Sequence, residues 1–214
     1  MPFKQQIALA ALRILRPSAR RYLRKQRSSG KPPWAYRGTV PHRSTTMNTE
    51  TRLYYALGPC DLGLLLVAQG EHGARAILLG DDGDSLLRDL RARFPMATPL
   101  RDDAACATLL GWVAGFIAAP AQPLAIALDP RGTPFQLRVW QALREIPPGQ
   151  TASYGEIARR IGAPTAARAV AAACAANPLA VVIPCHRVVR GDGGLSGYRW
   201  GAARKRALLA REAA

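Results

Sequence analysis

The strongest constraint on how this chain folds is the helix punctuation of residues 131–214. Thr133-Pro134 is an N-cap followed by proline at the first helical position, and Phe135, Val139, Ala142 and Ile146 then recur on one face. Pro147-Pro148-Gly149 stops that helix. Ser153-Tyr154-Gly155-Glu156 is a capping box that opens a second helix ending near Gly162, and Pro164-Thr165 starts a third that runs to Asn177-Pro178. Two short helices joined by a tight glycine-containing turn make a helix-turn-helix pattern. Gly191-Asp192-Gly193-Gly194 reads as a turn, and Trp200–Glu212 as a closing helix.

The preceding segment has a different grammar. Leu53–Leu57, Gly63–Ala68 and Ala74–Leu79 are short apolar runs separated by Gly, Pro and Asp, which predicts strands. Asp84–Phe94 and Ala104–Ile117 have helical spacing. Pro120, Pro123 and Pro130 then break the chain, so a domain boundary is expected near residue 130, giving domains at 47–130 and 131–214. Residues 1–46 differ from both. They are rich in arginine and free of acid, and they read as a basic, disordered extension, a transit-like segment, or an in-frame extension upstream of a natural start at Met47.

Charge follows the same division. The net +16 divides into +11 over residues 1–46, −4 over 47–130 and +9 over 131–214. The last value fits a polyanion binder, with nucleic acid the common polyanion, and equally a solvated basic face. About half of the 214 residues are apolar, so the bulk is globular. No run reaches the roughly 18 apolar residues of a membrane span. Cys60, Cys106, Cys174 and Cys185 form no C-x-x-C pair, and with no secretory signal they are expected to be reduced thiols in the cytoplasm.

Two segments carry candidate chemistry. Arg168–Ala176 is almost all small residues around one arginine. It fits either a tightly packed core helix or a smooth surface that approaches something narrow with little base-edge readout. After the apolar run Leu179–Ile183 comes Pro184-Cys185-His186-Arg187-Val188, a thiol beside an imidazole and a guanidinium at the end of a buried segment. Burial raises a thiol pKa, while a neighbouring base and cation favour the nucleophilic thiolate. As sequence neighbours, Cys185 and His186 diverge in an extended strand, so they cooperate only if the chain turns there or through a water. Glu145, Glu156, Asp192 and Glu212 are the acids of this region that could orient the base.

Ile183-Pro184-Cys185-His186-Arg187-Val188-Val189 resembles the active-site signature of the O6-alkylguanine-DNA alkyltransferases (methylated-DNA–protein-cysteine methyltransferases). The likeness extends through Gly132–Gln136, Val139-Trp140, Ile146-Pro147, Ser153–Gly155, Arg168–Val170, Ala175–Asn177, Leu195–Gly201 and Leu208–Glu212, and weaker matches begin near residue 52. The resemblance implies an α+β protein, with an N-terminal ribonuclease H-like α/β domain followed by a winged-helix-like (helix-turn-helix) DNA-binding and active-site domain. It implies irreversible transfer of a methyl or alkyl group from O6 of guanine, and from O4 of thymine, to Cys185.

The implied roles are residue by residue. Cys185 is the acceptor, His186 the base acting through a water, Glu212 its orienter, and Asn177 the brace of the cysteine turn. Tyr154 helps rotate the nucleotide and donates a proton to the leaving guanine. Arg168 enters the stack as a finger, and the main chain at Val188 and Ser196 holds the flipped base. Ser153, Arg159, Arg160, Arg199, Arg204 and Lys205 contact DNA. The implied partner is double-stranded DNA with alkylated bases, approached from the minor groove by a monomer, with no cofactor, metal or membrane. The zinc module and regulatory helix-turn-helix of some bacterial members have no counterpart here, so phosphotriester repair and transcriptional switching are not expected. Two alternatives remain: a DNA-binding lesion sensor that repairs nothing, and a cysteine hydrolase using Cys185 and His186.

Overall fold

The computed structural model describes residues 51–120, 126–195 and 197–213. The expectations for residues 1–46 and for Ser196 therefore lie outside the described residues. Three expected strands pair as consecutive hairpins: β1 (Thr51–Cys60), β2 (Gly63–Gly70) and β3 (Gly73–Gly80). Each hairpin turns on two residues, and the next residue, Gly63 or Gly73, has φ of 106° or 136°, a region L side chains rarely adopt. A Cβ on Gly73 would stand 2.4 Å from the Ala127 carbonyl oxygen, so glycine is also needed for space.

A fourth strand, β4 (Ala97–Arg101), lies parallel to β1 and completes a sheet of order β3-β2-β1-β4. The sequence pattern missed it because Ala-Thr-Pro-Leu-Arg has no clear alternation and holds Pro99, which an edge strand tolerates. Helices α1 (Gly83–Arg93) and α2 (Asp103–Ala118) pack on the sheet. They start at side-chain caps, Asp82 accepting from Ser85 N and Asp102 from Ala105 N, each at 2.8 Å. Cys106, Leu109, Val113 and Ile117 are the buried stripe of α2.

The open edge of β3 is covered by the chain itself. Ile77 N donates to Pro178 O at 2.8 Å, and Ala180 N donates to Ile77 O at 2.9 Å. Pairing of this kind protects an edge strand, and it anchors residues 178–180, five positions before Cys185, to the sheet.

The remaining helices are α3 (Pro134–Arg144), α4 (Tyr154–Arg160), α5 (Ala167–Ala176) and α6 (Ala202–Glu212). Both N-terminal signals read from sequence form full capping boxes: Thr133 with Gln136 at α3, and Ser153 with Glu156 at α4. Pro164-Thr165 does not start the third helix. Those residues form a turn, and α5 begins at Ala167 without a side-chain cap. The closing helix likewise begins at Ala202, not Trp200. Ala152–Ser153 (β5) pairs in parallel with Val188–Val189 (β6), which sets the start of α4 beside the strand leaving the cysteine. The described residues belong to one unit, Met47–Ala214, and its architecture is mixed α+β.

Candidate active site

The alanine-rich helix has two unlike faces. Val170, Ala173 and Cys174 of α5 are buried, and Trp140 Nε1 donates to Ala173 O at 2.9 Å. Arg168, Ala169, Ala172 and Ala175 are exposed. Small side chains thus let α3 come close on one side and leave a smooth outer face with one cation on the other. Arg159 and Arg160 are exposed at the end of α4, and Tyr154 is half-buried at its first residue.

After α5 the chain makes two tight turns. Val182 N donates to Ala180 O at 2.7 Å around Val181, whose φ is 69°. A β-branched residue held there costs on the order of 1–3 kcal/mol, and surrounding structure must over-determine it. Cys185 N then donates to Ile183 O at 2.8 Å around Pro184. Asn177, fully buried, braces both turns. Its Oδ1 accepts from Leu179 N at 2.9 Å, and its Nδ2 donates to Ile183 O at 2.8 Å and to Cys185 Sγ at 3.2 Å.

Cys185–Arg187 forms a single 3-10 turn, so the chain does turn where Cys185 and His186 require it. His186 Nε2 lies 2.8 Å from Glu212 Oε1. Arg187 donates to the same carboxylate through Nε and Nη2, both at 2.8 Å, and through Nη1 to Ile146 O at 2.5 Å. Of the four acids considered, Glu212 is the one on the imidazole. Burial pushes its carboxyl up, but the hydrogen bonds from His186 and Arg187 outweigh it and hold the pKa at about 2. An ionised carboxylate only accepts, so His186 donates from Nε2 and its Nδ1 carries the lone pair. That Nδ1 is buried and has no hydrogen-bond partner among the described residues. Burial also lowers the His186 pKa, against the pull of Glu212, which keeps the ring a neutral base.

Burial raises the Cys185 thiol to about 11, opposed by the Asn177 bond and by the charges of Lys205 and Arg93. At neutral pH only about one molecule in 10⁴ is thiolate, a deficit of about 5 kcal/mol that a base must help to supply.

The DNA-contact expectation for Lys205 is corrected. Lys205 is fully buried, with Nζ donating to Val188 O at 2.5 Å, so it cannot reach a phosphate. Its field acts on Cys185 and Cys174 instead. Arg204 is tied to Leu62 O, Trp200 O and Asp81, and Arg199 pairs with Asp89. Arg199 fastens the segment before α6 to α1, and Arg204 fastens α6 itself to the turn of the first hairpin and to Asp81. Val188 is buried, its N donating to Cys185 O. Pattern reading placed Lys205 on the surface and gave no place at the site to Arg93 or to Tyr198, whose ring meets the His186 imidazole edge-on at 6.5 Å. The signal available for Lys205 was its spacing with Leu208 and Glu212, which puts all three on the inner face of α6. All four cysteines are free.

Fold and site define a class: a mixed α+β protein with a buried cysteine on a helical turn, beside an imidazole held by a carboxylate and a helix pair with a basic outer face. Residues 134–214 match the family described as 6-O-methylguanine DNA methyltransferase, DNA binding domain. The chain is 55% identical over 159 residues to the bifunctional transcriptional activator/DNA repair enzyme Ada of Escherichia coli (strain K12), covering 74% of this chain and 45% of that protein. It is 61% identical over 84 residues to the methylated-DNA–protein-cysteine methyltransferase of Mycobacterium bovis, covering 39% of this chain and 51% of that one. The crystal structure of Mycobacterium tuberculosis O6-methylguanine methyltransferase matches with a TM-score of 0.62 at 37% identity, over 75% of this chain and 93% of that chain. The structure of Mycobacterium tuberculosis OGT in complex with DNA matches with a TM-score of 0.63 at 37% identity, over 76% and 92%. This chain belongs to the O6-methylguanine DNA methyltransferase family. It spans about half the length of the curated relatives it matches.

Proposed function

We propose that this chain repairs DNA by moving a methyl or alkyl group irreversibly from O6 of guanine, and from O4 of thymine, to Cys185. The observation that carries the reading is the bonded set Asn177–Cys185 and His186–Glu212–Arg187, which pairs a positioned thiol with an oriented base. His186 Nδ1 takes the thiol proton through a water, and the sulfur attacks the alkyl carbon. The C–S bond forms as the C–O6 bond breaks, the electron pair goes to the guanine, and Tyr154 delivers a proton to it. The products are S-alkylcysteine and guanine. A thioether has no route back to a thiol here, so each chain reacts once.

The reacting carbon is inside a duplex, so the base must leave the stack. The smooth outer face of α5 suits a minor-groove approach, with Arg168 entering the vacated place. Ser153, Arg159 and Arg160 contact the backbone, and the main chain at Val188 and Ser196 holds the flipped base. On this reading residues 47–130 form a ribonuclease H-like domain and 131–214 a winged-helix-like domain, in a cytoplasmic monomer that needs no cofactor. No helix of the described residues is long and apolar enough to cross a membrane.

The test is mass spectrometry after incubation with duplex DNA containing O6-methylguanine. The expected result is one methylene's mass gained on the Cys185 peptide, once per chain, and none in Cys185→Ala. A wild-type chain that binds the lesion without gaining mass would make it a sensor and end the repair reading.

A further inference from the structure

Arg93 is the last residue of α1, 92 positions before Cys185 in sequence, and its side chain is only 12% exposed. Nε donates to both oxygens of Asp89 at 3.2 Å, and Nη1 donates to Ala176 O at 2.9 Å. Ala176 closes α5 and precedes Asn177, the residue that holds both Ile183 O and Cys185 Sγ. The guanidinium is therefore bonded to the main chain one residue from the brace of the cysteine turn. Its third nitrogen, Nη2, is buried and has no hydrogen-bond partner among the described residues. A buried cation with an unspent donor is costly unless another group benefits from its charge. Asp89 neutralises it only in part, because the same carboxylate also pairs with Arg199.

We propose that Arg93 is a positioning residue for Cys185, holding the end of α5 through Ala176 and supplying positive charge that favours the thiolate, with Asp89 limiting that charge. The charges of Arg93 and Cys185 act on one another, each shifting the other toward its ionised form. The other ionisable groups around the thiol are Lys205 on α6, Cys174 on α5, Tyr198 before α6, and His186 with Arg187 and Glu212 at the turn. Among these, Lys205 and Arg93 are the cations that act on the thiol directly. Lys205 sits on the same helix as Glu212, whereas Arg93 reaches the site from the sheet half. Alkyl transfer by this chain thus depends on a side chain outside residues 134–214, which the family match covers.

The sign of the effect separates this role from simple packing. Iodoacetamide labelling of the Cys185 peptide in the full chain is followed by mass spectrometry from pH 7 to 9. In this range thiolate is the minor form, and half a unit of pKa changes the rate about threefold. Arg93→Met is expected to slow labelling about threefold at every pH, and Asp89→Asn to speed it, because the Arg93 charge is then no longer partly cancelled. Arg199→Gln is the control for the second partner of Asp89 and is expected to slow labelling slightly, because Asp89 then cancels the Arg93 charge more completely. Unchanged labelling in Arg93→Met overturns the proposal, as does slowing in both Arg93→Met and Asp89→Asn, the outcome of a packing role. If Arg93→Met does not fold by circular dichroism, Asp89→Asn decides alone: faster labelling supports the proposal, and unchanged or slower labelling overturns it.

The role in repair rests on the alkyl-transfer reading, and it is measured separately as single-turnover methyl transfer from O6-methylguanine DNA, expected to follow the same order. A wild-type chain that takes no methyl group defeats the repair reading and leaves the labelling result standing.

Discussion

Glu212→Gln puts the whole candidate site at risk while keeping its shape. The carboxylate accepts three hydrogen bonds at 2.8 Å, one from His186 and two from Arg187, and its side chain is 1% exposed. A glutamine offers one accepting oxygen and one donating nitrogen, so one neighbour meets a donor. Arg187, 6% exposed, also loses its counter-ion. Removing one partner of a buried pair costs about 3–5 kcal/mol. For a folded unit of this length that lowers Tm on the order of 10 °C. The chemical effect is separate. If the amide nitrogen faces His186, the ring proton moves to Nδ1 and the accepting atom is lost, a general-base defect of roughly 10²–10⁴-fold. The assay is single-turnover methyl transfer below the variant's melting range, with Tm read by circular dichroism. Transfer within about threefold of wild type at neutral pH would refute the assigned role of His186 and Glu212.

Three further outcomes follow from the same geometry. Asn177→Ala leaves the buried Leu179 N without its partner, at about 1–3 kcal/mol, and takes one of the two donors from Ile183 O; it lowers the urea midpoint and slows Cys185 alkylation. In acid, the stability from Glu212 is full above its unfolded value of 4.5 and is lost as pH falls toward about 2, a span worth about 3 kcal/mol, which urea unfolding between those pH values measures. His186 acts in the same direction, since a lowered folded pKa makes stability fall as pH drops below its unfolded value of 6.5. A chain starting at Met47 is expected to keep the wild-type transfer rate within about threefold, because the described site lies inside Met47–Ala214; a larger loss in the single-turnover assay would give residues 1–46 a part in the reaction.

The elements legible in the sequence were those written in local physics. Thr133 read as a cap from the proline after it, and Ser153 from the glutamate three residues on, and both form full capping boxes in which the hydroxyl and the Gln or Glu each accept from one backbone donor. The β1–β3 hairpins read from apolar runs bounded by turns. β4 did not, because its support is the neighbouring strand and not its own pattern. The start of α5 was misplaced for a related reason: Pro164-Thr165 looks like a cap, yet no side chain caps that helix, and packing on α3 and α4 sets where it begins.

By itself the sequence determined that a thiol, an imidazole and a guanidinium stand together at Cys185–Arg187, and that an almost smooth helix with one arginine comes before them. Only the tertiary structure decided what surrounds that thiol. Lys205 looked like a surface cation and is buried on Val188 O, while Arg93, remote in sequence, is bonded at the end of α5. The reason is physical. Caps and turns depend on residues a few positions apart, whereas the field on a buried sulfur depends on which charges the fold carries in from far along the chain.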